Sequence, residues 1–170
     1  MILKLIGAMI VILGCGGYGF AIAFGHRRET DSLNQLLSAL DFMHCELQYR
    51  LTPLPDLCRI TAKKIKGPVK SFFEHLSHEL EMQISPNVQL CIDAALVQTK
   101  TIPPLTAESL HDLSKSLGLF DLNGQLHGLL VTRDLTEIKL KKHSENQDIR
   151  IRSYQTLGIC AGAAIAILFI

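Results

Sequence analysis

The residues best equipped for chemistry come first in the chain. Gly14-Cys15-Gly16-Gly17-Tyr18-Gly19 matches G-x-G-x-x-G, behind an apolar AMIVIL stretch. In a βαβ unit those glycines would let a pyrophosphate approach the backbone, and Asp41 stands at the distance of a ribose-binding carboxylate. The motif needs a second strand, and no stretch of this chain alternates as one. Small residues in an apolar run also let helices pack closely, which is the plainer reading. His75-x-x-His78, flanked by Glu74 and Glu79, puts two imidazoles on adjacent turns of a helix. It lacks the H-E-x-x-H spacing and any further clear ligand, so a solvated helix face accounts for it. The serines form no G-x-S-x-G elbow, and no G-x-x-x-x-G-K-[ST] loop occurs. Five cysteines (15, 45, 58, 91 and 160) are scattered without a C-x-x-C pair and read as small apolar packing residues. Neither catalysis, nor a metal, nor a cofactor has positive support in these residues.

Leu5–Phe24 is twenty residues without a charge. As a helix it is about 30 Å long, the thickness of a bilayer core. Lys4 and the boxes around Cys15 and Ala21-Ile22-Ala23 resemble a cleaved secretory signal. The apolar run continues beyond Cys15, however, and ends in His26-Arg27-Arg28, an arrangement that holds that edge in the cytoplasm. A second uncharged run, Tyr154–Ile170, follows Arg150 and Arg152. Both runs have their basic flank on the side of the central segment. The expected organisation is a transmembrane helix over 1–25, a cytoplasmic domain over 26–152 and a transmembrane helix over 153–170, with both ends across the membrane. Seventeen basic residues nearly balance sixteen acidic ones. That balance gives no field for nucleic acid, while the basic edges suit anionic headgroups.

The middle segment reads as helix almost throughout. Leu33, Leu36, Leu37, Leu40, Met43, Leu47 and Leu51 form one apolar stripe. Thr52 is expected to cap the next helix, with Pro53 at its first position and Gly67 as its left-handed end. That helix turns Leu54, Leu57, Cys58, Ala62 and Ile65 inward. Further helices are expected from Pro68, with Val69, Phe72, Phe73, Leu76 and Leu80 inside, and from Ser85-Pro86, with Leu90, Cys91, Ala94, Ala95 and Val97 on its packing face. After the stiff Thr101-Ile-Pro-Pro break, Thr106 is expected to cap a short helix with Leu110, Leu113 and Leu117 inward, closed by Gly118. Asp121 is then the N-cap of a long helix carrying Leu122, Leu126, Leu129, Leu130 and Ile138. The fold class is all-α: a compact bundle of about six helices between two membrane spans.

Two stretches carry a family resemblance. Glu46-Leu-Gln-Tyr49-Arg-Leu-Thr-Pro53-Leu54 follows the leucine-striped helix, and Leu117-Gly118-Leu-Phe-Asp121-Leu-Asn-Gly-Gln125 precedes the long one. With an apolar run at each end of 170 residues, the chain resembles the stage III sporulation protein AB family over essentially its full length. A Glu-Ala pair expected soon after Pro53-Leu54 is replaced by Pro55-Asp56-Leu57. The resemblance implies a soluble domain similar to the cytoplasmic helical domain of type II secretion and type IV pilus platform proteins. It implies a place in the mother-cell membrane around the forespore, and no enzymatic activity. The implied partners are a cytoplasmic ATPase of the stage III sporulation protein AA type and other membrane components of the same apparatus. Glu46, Tyr49, Pro53, Leu54, Gly118, Asp121 and Gln125 are the candidate fold-determining or partner-contact residues, with Glu46 and Tyr49 expected as buried polar anchors. A two-span sensor with a small-ligand pocket between helices is the alternative function.

Overall fold

The computed structural model describes residues 27–82, 87–115, 117 and 121–169, with side chains through residue 145. The expected span over 1–25 lies outside the described residues, and that over 153–170 lies outside those with described side chains. Among the described residues, no helix is long and apolar enough to cross a membrane.

The described residues form six helices and no strand, as the pattern of apolar steps and Pro/Gly breaks requires. They are α1 (residues 27–50), α2 (Leu54–Ala62), α3 (Gly67–Met82), α4 (Val88–Gln98), α5 (Pro104–Ser114) and α6 (Leu122–Phe169). Glu29–Lys141 is one compact unit. Within Glu29–Lys141, successive helices from α2 to α5 pack on their neighbours.

One core serves all six. Leu36, Leu40, Met43 and Leu47 of α1 meet Leu57 and Cys58 of α2, Phe72, Phe73 and Leu76 of α3, Ile92 of α4, Leu110 and Leu113 of α5, and Leu129 of α6. The Phe72 and Phe73 rings lie edge to face, 5.3 Å apart, an arrangement that suits their quadrupoles. Burial pushes the Cys58 thiol up to about 12, so it stays protonated and inert at neutral pH.

Several expected details are corrected. Leu51 is exposed rather than the last member of the α1 stripe. Thr52 does not cap α2: Pro53 occupies the N-cap without a side-chain bond, and its carbonyl accepts from Leu57 N–H at 2.8 Å. Gly67 has the expected positive φ of 69°, but it opens α3, and α2 ends at Ala62. Asn87 caps α4 through its side chain, accepting from Gln89 N–H at 3.0 Å. Ser85, Pro86 and Gly118 lie outside the described residues. Leu90 and Val97 of α4, and Leu122, Leu130 and Ile138 of α6, face outward. In their place α6 buries Thr132 and Thr136 beside Leu129; their hydroxyls donate to the carbonyls of Gly128 and Thr132, four residues back.

Candidate functional site

The turn between α1 and α2 gathers four of the seven candidate residues. α1 ends because Leu51 takes φ of +52°, a conformation that costs a non-glycine residue about 1–2 kcal/mol. Pro53 then fixes the chain direction into α2, and Leu54 packs against the core while Pro53 stays exposed. Tyr49 is 76% exposed and Leu51 63% exposed. Tyr49 is therefore not the buried anchor the sequence pattern suggests; it stands largely in solvent, two residues before the strained and likewise exposed Leu51. Glu46 sits one turn earlier and is mostly buried. Its Oε1 pairs with the Arg50 guanidinium at 3.5 Å, whereas its Oε2 is buried without a hydrogen-bond partner. A buried acceptor left empty costs roughly 1–3 kcal/mol. Strain, an uncovered aromatic and an unused carboxylate oxygen thus coincide within six residues, Glu46 to Leu51.

The other candidates do a different job. Asp121 Oδ1 accepts from Gly124 N–H at 3.1 Å, and the Asp121 carbonyl accepts from Gln125 N–H at 2.9 Å. This is the expected N-cap of α6, so Asp121 and Gln125 define where the long helix starts.

Sequence reading missed the charged groups that tie the ends of the bundle together. The Glu29 carboxylate of α1 is 8% exposed and accepts from Thr106 N–H at 3.1 Å and from the Thr106 hydroxyl at 3.4 Å. It closes the N-terminus of α5, where Pro103 supplies no cap. Thr106, expected as that cap, is instead the residue being capped. Arg133 of α6 donates to Asp41 of α1 at 2.8 Å and to Glu137 at 2.7 Å; the hydrogen bond to Asp41 leads the effects that raise its pKa. Lys139 of α6 reaches both Glu108 and Asp112 of α5 at 3.0 Å. Burial opposes its charge, yet the two carboxylates prevail and raise its pKa. Asp112 is held below the usual carboxylate range, first by its hydrogen bond from Lys115 and, against burial, by Lys139. A turn-by-turn apolar pattern gives no signal for such pairs, whose members are 27 to 92 residues apart. Near the other candidate chemistry, His75 is half-buried and His78 exposed. No group of three or more potential metal ligands occurs among the described residues.

A profile of the family described as stage III sporulation protein AB matches residues 4–170. The chain belongs to the stage III sporulation protein AB family. It is 24% identical over 169 residues to Stage III sporulation protein AB of Bacillus subtilis (strain 168), covering 98% of each chain. A solved structure of Stage III sporulation protein AB (SpoIIIAB) superposes with a TM-score of 0.63 at 21% identity, covering 72% of this chain and 98% of that one. At that identity the likeness speaks for the all-helical fold.

Proposed function

We propose that the protein is a non-enzymatic platform of the sporulation apparatus, anchored by spans at 1–25 and 153–170 in the mother-cell membrane around the forespore. Its domain over 26–152 faces the mother-cell cytoplasm. There it docks an ATPase of the stage III sporulation protein AA type and links it to the other membrane components. The observation that carries the docking reading is the α1–α2 turn, with Tyr49 and Leu51 uncovered and the Glu46 Oε2 unused. Aromatic residues that insert into a partner pocket supply a disproportionate share of binding energy, and backbone strain is retained where it serves a site. A partner cation or N–H donor would complete Glu46, and an apolar pocket would cover Tyr49 and Leu51. The basic edges and the paired uncharged runs support the anchoring.

The test is binding of the full-length protein, reconstituted in lipid vesicles, to the purified ATPase. Micromolar or tighter binding is expected. Tyr49→Ala should weaken it by about 10-fold or more while leaving the melting temperature unchanged, because the ring makes little contact inside the monomer. Binding unaltered by Tyr49→Ala and Leu51→Ala together removes this turn from the docking surface. Absence of binding by the wild type removes the docking reading itself.

A further inference from the structure

The chain between α2 and α3 concentrates positive charge. Residues 57–73 hold five basic side chains, Arg59, Lys63, Lys64, Lys66 and Lys70, and no acidic one. Ile65 and Val69 are buried in the core, while the four lysines stand exposed around them. The turn is thus pinned by its apolar residues and presents its cations outward. Arg59 is engaged by Asp56 and Glu81, and Lys70 lies 3.7 Å from Glu74 in an exposed pair. Lys64 Nζ rests over the Phe42 ring, 5.9 Å from its centroid. Among the described residues no carboxylate pairs with Lys63 or Lys66, Asp31 on the neighbouring stretch of α1 included. The Lys66 N–H donates to Gln35 Oε1 at 2.8 Å, which fastens the turn to α1. Gln35 is eight residues from the start of α1 at 27, about 12 Å along the helix.

We infer that Lys63, Lys66 and Lys70 form a contact for anionic phospholipid headgroups, which holds the α2–α3 turn against the membrane surface. The inference rests on the proposed span over 1–25, which sets the start of α1 at that surface. Of the distance from there to Gln35, the headgroup layer takes about 5–7 Å. A lysine stem and a Debye length of about 8 Å cover the remainder. Two observations select lipid over an acidic protein. No large apolar side chain is exposed between residues 52 and 81, so the patch lacks the apolar centre around which protein interfaces are built. Four of the five cations are lysines, hydrated point charges that suit a diffuse layer of phosphates. Protein carboxylates are matched better by the fork of arginine, and lysine is depleted from protein interfaces.

The experiment uses the full chain reconstituted in vesicles of phosphatidylcholine, alone or with about 30% phosphatidylglycerol, at about 0.1 M salt. Acetylation with N-hydroxysuccinimidyl acetate, read by mass spectrometry, measures access to each ammonium. Arg50→Lys, present throughout, places a reporter fifteen residues beyond Gln35, about 22 Å along α1 and outside the Debye length. Anionic lipid should slow acetylation of Lys63 and Lys66 at least about threefold and alter position 50 by less than about 1.5-fold. Raising the salt to about 1 M, where the Debye length is about 3 Å, should remove the protection. Lys63→Gln combined with Lys66→Gln should return Lys70 to its rate in neutral lipid and leave the circular dichroism unchanged, since both side chains are exposed. Absence of protection, equal slowing at position 50, protection that survives high salt, or a Lys70 still protected in the double variant overturns the inference. Protection that appears only when the ATPase is added assigns the patch to an acidic protein and overturns it as well. Alkaline carbonate extraction separates the two failures. Protein that resists extraction without protection sinks the headgroup contact and leaves the anchoring standing, whereas protein that washes off sinks the anchoring and this contact with it.

Discussion

Glu29→Ala probes a contact that holds the first turn of α5 to α1. The Glu29 carboxylate is nearly sequestered and holds the Thr106 N–H and hydroxyl at the first turn of α5. The preceding residue, Pro103, offers no side-chain cap. Removing the carboxylate leaves a buried N–H without an acceptor, which costs roughly 1–3 kcal/mol. Loss of a helix N-cap costs about 0.5–2 kcal/mol, and because it is the same event the two figures overlap rather than add. For a unit of about 110 residues each kcal/mol is worth roughly 4–8 °C, so melting should fall by about 5–15 °C. Glu29→Gln keeps an acceptor oxygen and should lose less than half as much. Thermal circular dichroism at 222 nm on the reconstituted protein measures the loss. Hydrogen exchange locates it: the amides of residues 105–108 should lose protection before those of α3. A Glu29→Ala protein that melts within 2 °C of the wild type would refute the reasoning, as would Glu29→Gln losing as much as Glu29→Ala. In the second case packing of the side chain, not its acceptor, holds α5.

Two further perturbations bear on the same unit. The Asp112 carboxyl is held below its ordinary value, so the unfolded chain takes up that proton at a higher pH than the native one. Its contribution is therefore complete above about pH 4, the unfolded carboxylate range, and is lost as pH falls through the lower native value. Denaturant midpoints measured from pH 6 to pH 2 should fall in the wild type, and Asp112→Asn should be less stable at pH 6 and show a shallower decline below pH 4. At the α1–α2 turn, Leu51→Gly relieves a positive φ in a side chain that packs on little, and should leave stability unchanged or raise it by up to about 1 kcal/mol. A loss above 1 kcal/mol in urea unfolding would mean that Leu51 is held by packing rather than tolerated in strain.

Much of the fold can be read along the chain because helical periodicity and chain breaks are local properties. The leucines of α1 recur at three- and four-residue steps, and prolines and glycines fall near the ends of α2, α3 and α5, where a missing N–H or a positive φ is tolerated. Asp121 was legible as a cap for the same reason: its partner, Gly124, is three residues away. Periodicity says which residues share a face and not whether another element covers that face. Leu51, Leu130 and Ile138 keep step with buried neighbours and are nevertheless outside, since the helices that would cover them pack elsewhere.

By itself, then, the sequence determined the helical class, most of the breaks and the two uncharged runs, which depend on residues close together in the chain, and the family, whose match runs over residues 4–170. Only the tertiary structure decided that Glu29 caps a helix begun 75 residues later, that Lys139 is shared by two carboxylates of α5, and that Tyr49 faces solvent. Each of those outcomes required the intervening helices to pack first. A carboxylate reaches a distant N–H, and a tyrosine stays uncovered, according to where the shared core brings the backbones together.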